Sequence, residues 1–178
     1  MKTLKESILS STGTGRYAYK KQIENCEFTP ELVKMLENKV AYYKPRNSEE
    51  LRKLIEKYIK FAGNSCDLNW IDTSEITNMN NLFSPLSSII TCKFNGNISE
   101  WDVSNVMSMS YMFCNNKKFN GNISKWNVSN VIDMSFMFYG DTNFNQDISK
   151  WDVKKVRTYH DMFTACPIKP EYKPNRFR

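Results

Sequence analysis

The sequence predicts an α/β fold: a right-handed solenoid of about four stacked coils with short parallel strands, capped by an N-terminal helical region. Three observations predict it. Large apolar residues return every 25 positions between residues 94 and 166, as in Trp101, Trp126 and Trp151 or Phe113, Phe138 and Phe163. A divergent earlier copy, IDTSEITNMNNLF from Ile71 to Phe83, precedes a connection five residues longer than the others. Two amphipathic helical patterns stand ahead of the repeats. Fixed periods of this size mark architectures in which each unit buries its apolar side only against its neighbours. Four segments follow: a flexible or docking stretch at 1–20, a helical cap at 21–66, the repeats at 67–166, and a Pro-rich basic tail at 167–178.

The first segment holds a short amphipathic stretch with Leu4, Ile8 and Leu9, then the polar run Ser10 to Gly15. It lacks the run of roughly 7–15 apolar residues of a signal peptide, so a cytoplasmic location is expected. Its GTG is not a phosphate loop, because GxxxxGK[ST] and a preceding strand are both missing. A docking peptide built on Leu4, Ile8 and Leu9 and plain terminal disorder both fit the stretch.

Thr29, Pro30 and Glu31 give a helix start, with a hydroxyl N-cap, proline at N1 and an acid in the first turn. Leu32, Met35, Leu36, Val40 and Tyr43 keep one face apolar as far as Lys44-Pro45. Asn47-Ser48-Glu49-Glu50 opens a second helix with an Asn-x-x-Glu capping pattern. Leu51, Leu54, Ile55, Tyr58 and Ile59 form its stripe and Gly63 its stop.

Within a repeat, Ile148, Trp151 and Val153 follow the LxxLxL spacing that leucine-rich repeats use for a short strand. Val131, Met134, Met137 and Phe138 suit a helical or 3₁₀ turn on the far side. Asn95, Asn120 and Asn145, with Asn105 and Asn130, recur at fixed places. They are expected to bond orphan backbone groups of neighbouring coils rather than a ligand. At the end, Lys154, Lys155, Arg157, Tyr159 and His160 break the pattern, and PIKPEYKPNRFR follows. This reads as a terminal coil facing solvent. The sharper alternative is a basic contact patch of Lys154, Lys155, Arg157, Arg176 and Arg178.

Charge and chemistry narrow the function. The net charge of +6 sits at the ends. Residues 1–66 hold 13 Lys/Arg against 8 Asp/Glu, the repeats 8 against 10, and the tail 4 against 1. The repeats thus offer no basic stripe for nucleic acid, and no run approaches the ~20 apolar residues of a membrane span. Five scattered cysteines and a single histidine fit reduced thiols better than a disulfide framework or a zinc site. No catalytic, metal or cofactor-binding set is assigned. Cys166 with His160 six residues before it has no orienting acid beyond Asp161, and spacing alone is weak support for a nucleophile.

The strings FNGNISEWDVSNV, FNGNISKWNVSNV and FNQDISKWDVKKV, with MSxMF after the first two, closely resemble the BspA-like bacterial surface-protein repeat. That resemblance covers residues 67–166 and implies a leucine-rich-repeat-like scaffold for protein contacts. The front end resembles small proteins of Bacteroides-group bacteria and their bacteriophages that carry such repeats without an export signal.

The function expected is therefore a non-catalytic protein–protein interaction module. Its partner-binding face is the outward side of the strands: Glu100, Asp102, Ser104, Lys125, Asn127, Ser129, Lys150, Asp152 and Lys154. Alanine at Asp102, Asn127 and Asp152 is expected to weaken binding without unfolding the chain. The alternative is a structural component of a bacteriophage particle, docked in a larger viral or cellular assembly by residues 1–20.

Overall fold

A computed structural model describes residues 43–86 and 91–178. The first expected helix, nearly all of the helical cap before residue 43, and the Leu4, Ile8, Leu9 segment lie outside these residues. The second helix, α1, runs Ser48–Ala62. The Asn47 side chain accepts the Glu50 N–H, and Glu50 reaches back to the Arg46 N–H at 2.7 Å. Gly63, at φ 83°, closes the helix by donating its N–H to the Ile59 carbonyl. The buried stripe is Leu51, Leu54, Ile55, Tyr58 and Ile59. It covers the first repeat, where Tyr58 meets Trp70 edge-on at 4.9 Å.

The repeats stack in register. Phe83, Phe113, Phe138 and Phe163 form one column with ring centroids 5.4, 5.5 and 5.8 Å apart. Phe94, Phe119 and Phe144 form a second column at 6.3 and 6.0 Å. The columns mesh through Phe83–Phe94, Phe113–Phe119 and Phe138–Phe144 at 4.4, 3.9 and 4.0 Å. Each central tryptophan donates its indole N–H to the coil before it: Trp101 to Leu68, Trp126 to Ile98, Trp151 to Ile123. The asparagines tie coils together as well. Asn95 accepts the N–H of Asn120, and Asn120 that of Asn145. Asn105 and Asn130 donate to the Ser74 and Ser104 carbonyls of the coils before them.

The structure corrects the expected fold class. Among the described residues there is one α-helix and no β-strand, so the α/β solenoid with short parallel strands does not form. What remains of parallel pairing is isolated bridges such as Asn78–Ser108, Ser108–Asp133 and Asp133–Thr158. Two features prevent strands. In the LxxLxL arm the side chains of Asn97, Asp102, Asn122, Asn127, Asp147 and Asp152 accept the N–H two residues on, closing Asx turns. Those N–H groups are lost to any neighbouring strand. In the opposite arm every second residue folds back, as Met112 N–H does to Met109 and Cys114 N–H to Tyr111. Asn81, Tyr111, Phe136 and Asp161 there hold left-handed φ of 59°, 58°, 58° and 50° at equivalent positions. A strand needs consecutive extended residues, and a left-handed residue in each coil interrupts it. The same arm is therefore a run of turns and not the helical or 3₁₀ segment that Val131, Met134, Met137 and Phe138 suggested.

The tail folds over the last coil. Ile148 N–H donates to Tyr172, Lys169 N–H to Asn145 Oδ1, and Arg176 Nη1 to the carbonyls of Val153 and Lys154. Phe177 packs on the Tyr159 ring at 4.7 Å.

Gly96 shows how closely coils approach. A Cβ there would land on the Cys66 carbonyl oxygen and 2.6 Å from the Phe94 ring. At Gly121, one coil on, it would meet the Phe119 ring at 2.8 Å and the Gly96 carbonyl at 3.4 Å. The third equivalent is Gln146, which carries a side chain. Gly96→Ala is expected to cost about 3 kcal/mol in a urea titration and Gly121→Ala about 1 kcal/mol, the difference being backbone against a ring that can shift. Equal costs would refute this account.

Candidate functional site

With no strands, the nine expected contact residues stand at turn corners. Glu100, Asp102, Lys125, Asn127, Lys150, Asp152 and Lys154 are exposed, and Ser104 and Ser129 are half-buried. The repeat register sets them in three columns: 100, 125 and 150; 102, 127 and 152; 104, 129 and 154.

The columns are not equivalent chemically. Asp102 Oδ1 accepts the Ser104 N–H at 2.9 Å, and Asn127 Oδ1 accepts both the N–H and the hydroxyl of Ser129 at 3.2 and 2.7 Å. Asp152 Oδ1 accepts the Lys154 N–H at 3.2 Å, and its other oxygen lies 3.6 Å from Lys154 Nζ. This middle column holds the corners in shape. Triple alanine replacement at Asp102, Asn127 and Asp152 therefore removes three turn closures and would disturb stability together with any binding. The spacing D/N-x-S could have shown this, since an Asx turn needs only that local pattern. Lys125 and Lys150, by contrast, form no side-chain hydrogen bond or ion pair among the described residues.

Other chemistry is limited. No group of three or more His, Cys, Asp or Glu that could hold a metal occurs among the described residues. The Cys166 thiol, considered above with His160, is pushed up to about 11 by burial and leans on the Phe144 carbonyl with Sγ 3.5 Å away. A nucleophilic thiol requires the opposite shift. Ser149, through its hydroxyl and its N–H, holds the exposed Asp147 carboxyl below the usual range.

At the end of the stack Lys154, Lys155, Arg157 and Arg176 surround a depression of about 510 Å³ floored by Ile132 and Val156. The structure brings these four together from the last coil and the tail, which sequence proximity alone does not do for Arg176. Arg178 turns away, donating to the carbonyls of Lys173 and Glu171.

The family described as "Mycoplasma protein of unknown function, DUF285" matches residues 49–171. The chain belongs to this family. Its DUF285 segment takes in α1 from the second residue, all the coils and the start of the tail, so helix and repeats form one family unit. No curated protein and no solved structure matches the chain. No helix among the described residues is long and apolar enough to cross a membrane.

Proposed function

We propose that this DUF285 chain is a non-catalytic protein–protein interaction module whose repeats are kin to the BspA-like surface repeats. One observation carries the reading. Successive coils hold the same corner in register and present Glu100, Lys125 and Lys150 from it, exposed and one coil apart. A stack locked by its Phe columns and Asn ladders offers a preorganised periodic surface, which lowers the ordering cost of binding. Mixed charge without large aromatic anchors suits recognition of modest affinity. The FNxxIS and WDVSNV strings support the kinship.

The test is affinity capture followed by titration of the captured protein against the wild type and a Lys125→Glu/Lys150→Glu variant. Binding is expected to weaken at least tenfold while the thermal midpoint is unchanged. Equal binding by both would reject this face as the contact surface.

A further inference from the structure

The turn-built arm of each coil is polar along the stack. Met109, Tyr111, Phe113 and Asn115 donate their N–H groups to the carbonyls of Asp133, Ser135, Met137 and Tyr139 at 2.7–2.9 Å. Met134, Phe136, Phe138 and Gly140 donate in the same way to Thr158, His160, Met162 and Thr164 at 2.8–3.0 Å. Every rung thus points its N–H groups toward the C-terminal end. The next four in register are Tyr159, Asp161, Phe163 and Ala165, and their N–H groups meet no acceptor among the described residues. The tail touches this arm through side chains, Phe177 and Arg176 on the Tyr159 ring and Lys173 on the Phe163 ring, but supplies no acceptor to the four N–H groups: Tyr159 is 41% exposed, Asp161 and Ala165 are exposed, and Phe163 is half-buried.

The carbonyl end of the stack meets α1 at one point. Ser48 Oγ donates to the Asn78 carbonyl, and α1 lies beside Asn78, Asn80 and Asn81. Two copies of this chain joined at their C-terminal ends cannot extend the ladder, because N–H would oppose N–H.

The open row adjoins the cationic depression. Lys154, Lys155, Arg157 and Arg176 line it, and His160 is exposed close by in the chain. Two acids lie near: Asp152, which pairs with Lys154, and Asp161, whose carboxylate takes the Thr164 hydroxyl at 2.8 Å. Cations remain in excess, and unpaired backbone N–H groups add further positive potential.

We propose that this end binds an acidic segment of another protein, which adds to the stack as one more rung. Its alternate carbonyls accept from Tyr159, Asp161, Phe163 and Ala165, and its carboxylates meet Lys154, Lys155, Arg157 and Arg176. Main-chain pairing supplies affinity and the charges supply selectivity, as in other additions to an open backbone edge. Two positions of each rung are left-handed, Tyr111 and Asn115 in one and Phe136 and Gly140 in the next, a conformation that glycine adopts at least cost. The proposal extends the interaction reading to a second surface and makes no use of Lys125 or Lys150.

The probe is a nine-residue peptide alternating glutamate and glycine, added to the full chain at low salt with amide signals followed by NMR. The amides of Tyr159, Asp161, Phe163 and Ala165 are expected to shift together and to exchange at least tenfold more slowly at saturation. A Lys155→Glu/Arg157→Glu variant is expected to bind at least tenfold more weakly, and Lys125→Glu/Lys150→Glu to bind as the wild type does. Binding that leaves the four amides unmoved would overturn the proposal in favour of charge attraction alone. Absence of binding, or loss of it in the Lys125/Lys150 variant, would overturn it too, whichever way the test of the first face comes out.

Discussion

Replacing Phe113 with alanine is expected to lower the unfolding free energy by about 3–5 kcal/mol, the range for a fully buried aromatic ring. Phe113 is 0% exposed and touches both columns. It stacks on Phe83 and Phe138 along its own column and on Phe119 across to the other, with interplanar angles of 5–8°. Its loss removes contacts from two coil interfaces at once. In a stack stabilised by nearest-neighbour interfaces, a break at an inner rung also uncouples the ends. The urea transition should therefore fall in midpoint and broaden. Phe163→Ala, at the end of the column with Phe138 as its ring partner at 5.8 Å, should cost roughly half as much. Phe113→Leu separates volume from stacking. It keeps most of the buried area and should cost about 1–1.5 kcal/mol, the increment of ring geometry beyond burial. Equal losses for Phe113→Leu and Phe113→Ala would show that ring stacking, and not filled volume, sets the stability.

Much of this packing was legible in the sequence because burial is a property of side-chain periodicity. The 25-residue return of Phe, Trp, Ile and Met selects which residues stack whatever path the backbone takes between them. The α1 stripe and its Asn47 and Gly63 ends were legible for the same reason, with caps fixed by local chemistry. The backbone path was not. LxxLxL spacing counts apolar positions, but Asn97, Asp102 and their equivalents decide whether the intervening N–H groups face a neighbouring strand or their own side chains. They take the second course, and strands are lost. The left-handed turns at Tyr111 and Phe136 were hidden differently, since aromatic residues rarely adopt positive φ. Asn81 and Asp161 at that position hint at it. The basic depression needed Arg176 folded back from the tail, and the open N–H row has no side-chain signature. Of the nine expected contact residues, seven were legible as exposed positions, but the division into turn-holding and outward columns required the hydrogen bonds.

Stability is expected to fall as pH rises from about 4 to 7, and the residue responsible is Asp141. It is 0% exposed, in the loop that carries one coil to the next. Its Oδ1 accepts the N–H groups of Asn143 and Phe144 at 3.0 and 3.1 Å, while Oδ2 is buried with no partner among the described residues. Register explains the vacancy. At the equivalent place one coil earlier, Asn116 Nδ2 donates to the Phe94 carbonyl at 3.0 Å, and one coil later the Cys166 thiol leans on the Phe144 carbonyl. The corresponding acceptor for Asp141 is the Phe119 carbonyl, to which no described group donates. Only a protonated Oδ2 can donate there. Burial drives the carboxyl up to about 7, against the N–H bonds from Asn143 and Phe144 that pull it down. Because the folded value lies above the ordinary 3.8, folding binds a proton in between. The group is neutral in both states below pH about 4, and its destabilisation grows until pH about 7 and then levels off. The rise from the ordinary 3.8 to about 7 corresponds to roughly 4 kcal/mol. The thiol of Cys166, whose own value Asp141 helps to raise, stays neutral throughout that window. Asp147 and Asp133 are held low and act in the opposite direction, losing their contribution only as pH falls below about 4. Asp141→Asn should supply the missing donor as Asn116 does, flatten the profile between pH 4 and 7, and raise the urea midpoint at pH 8. A variant that keeps the wild-type slope would assign the pH dependence to another group.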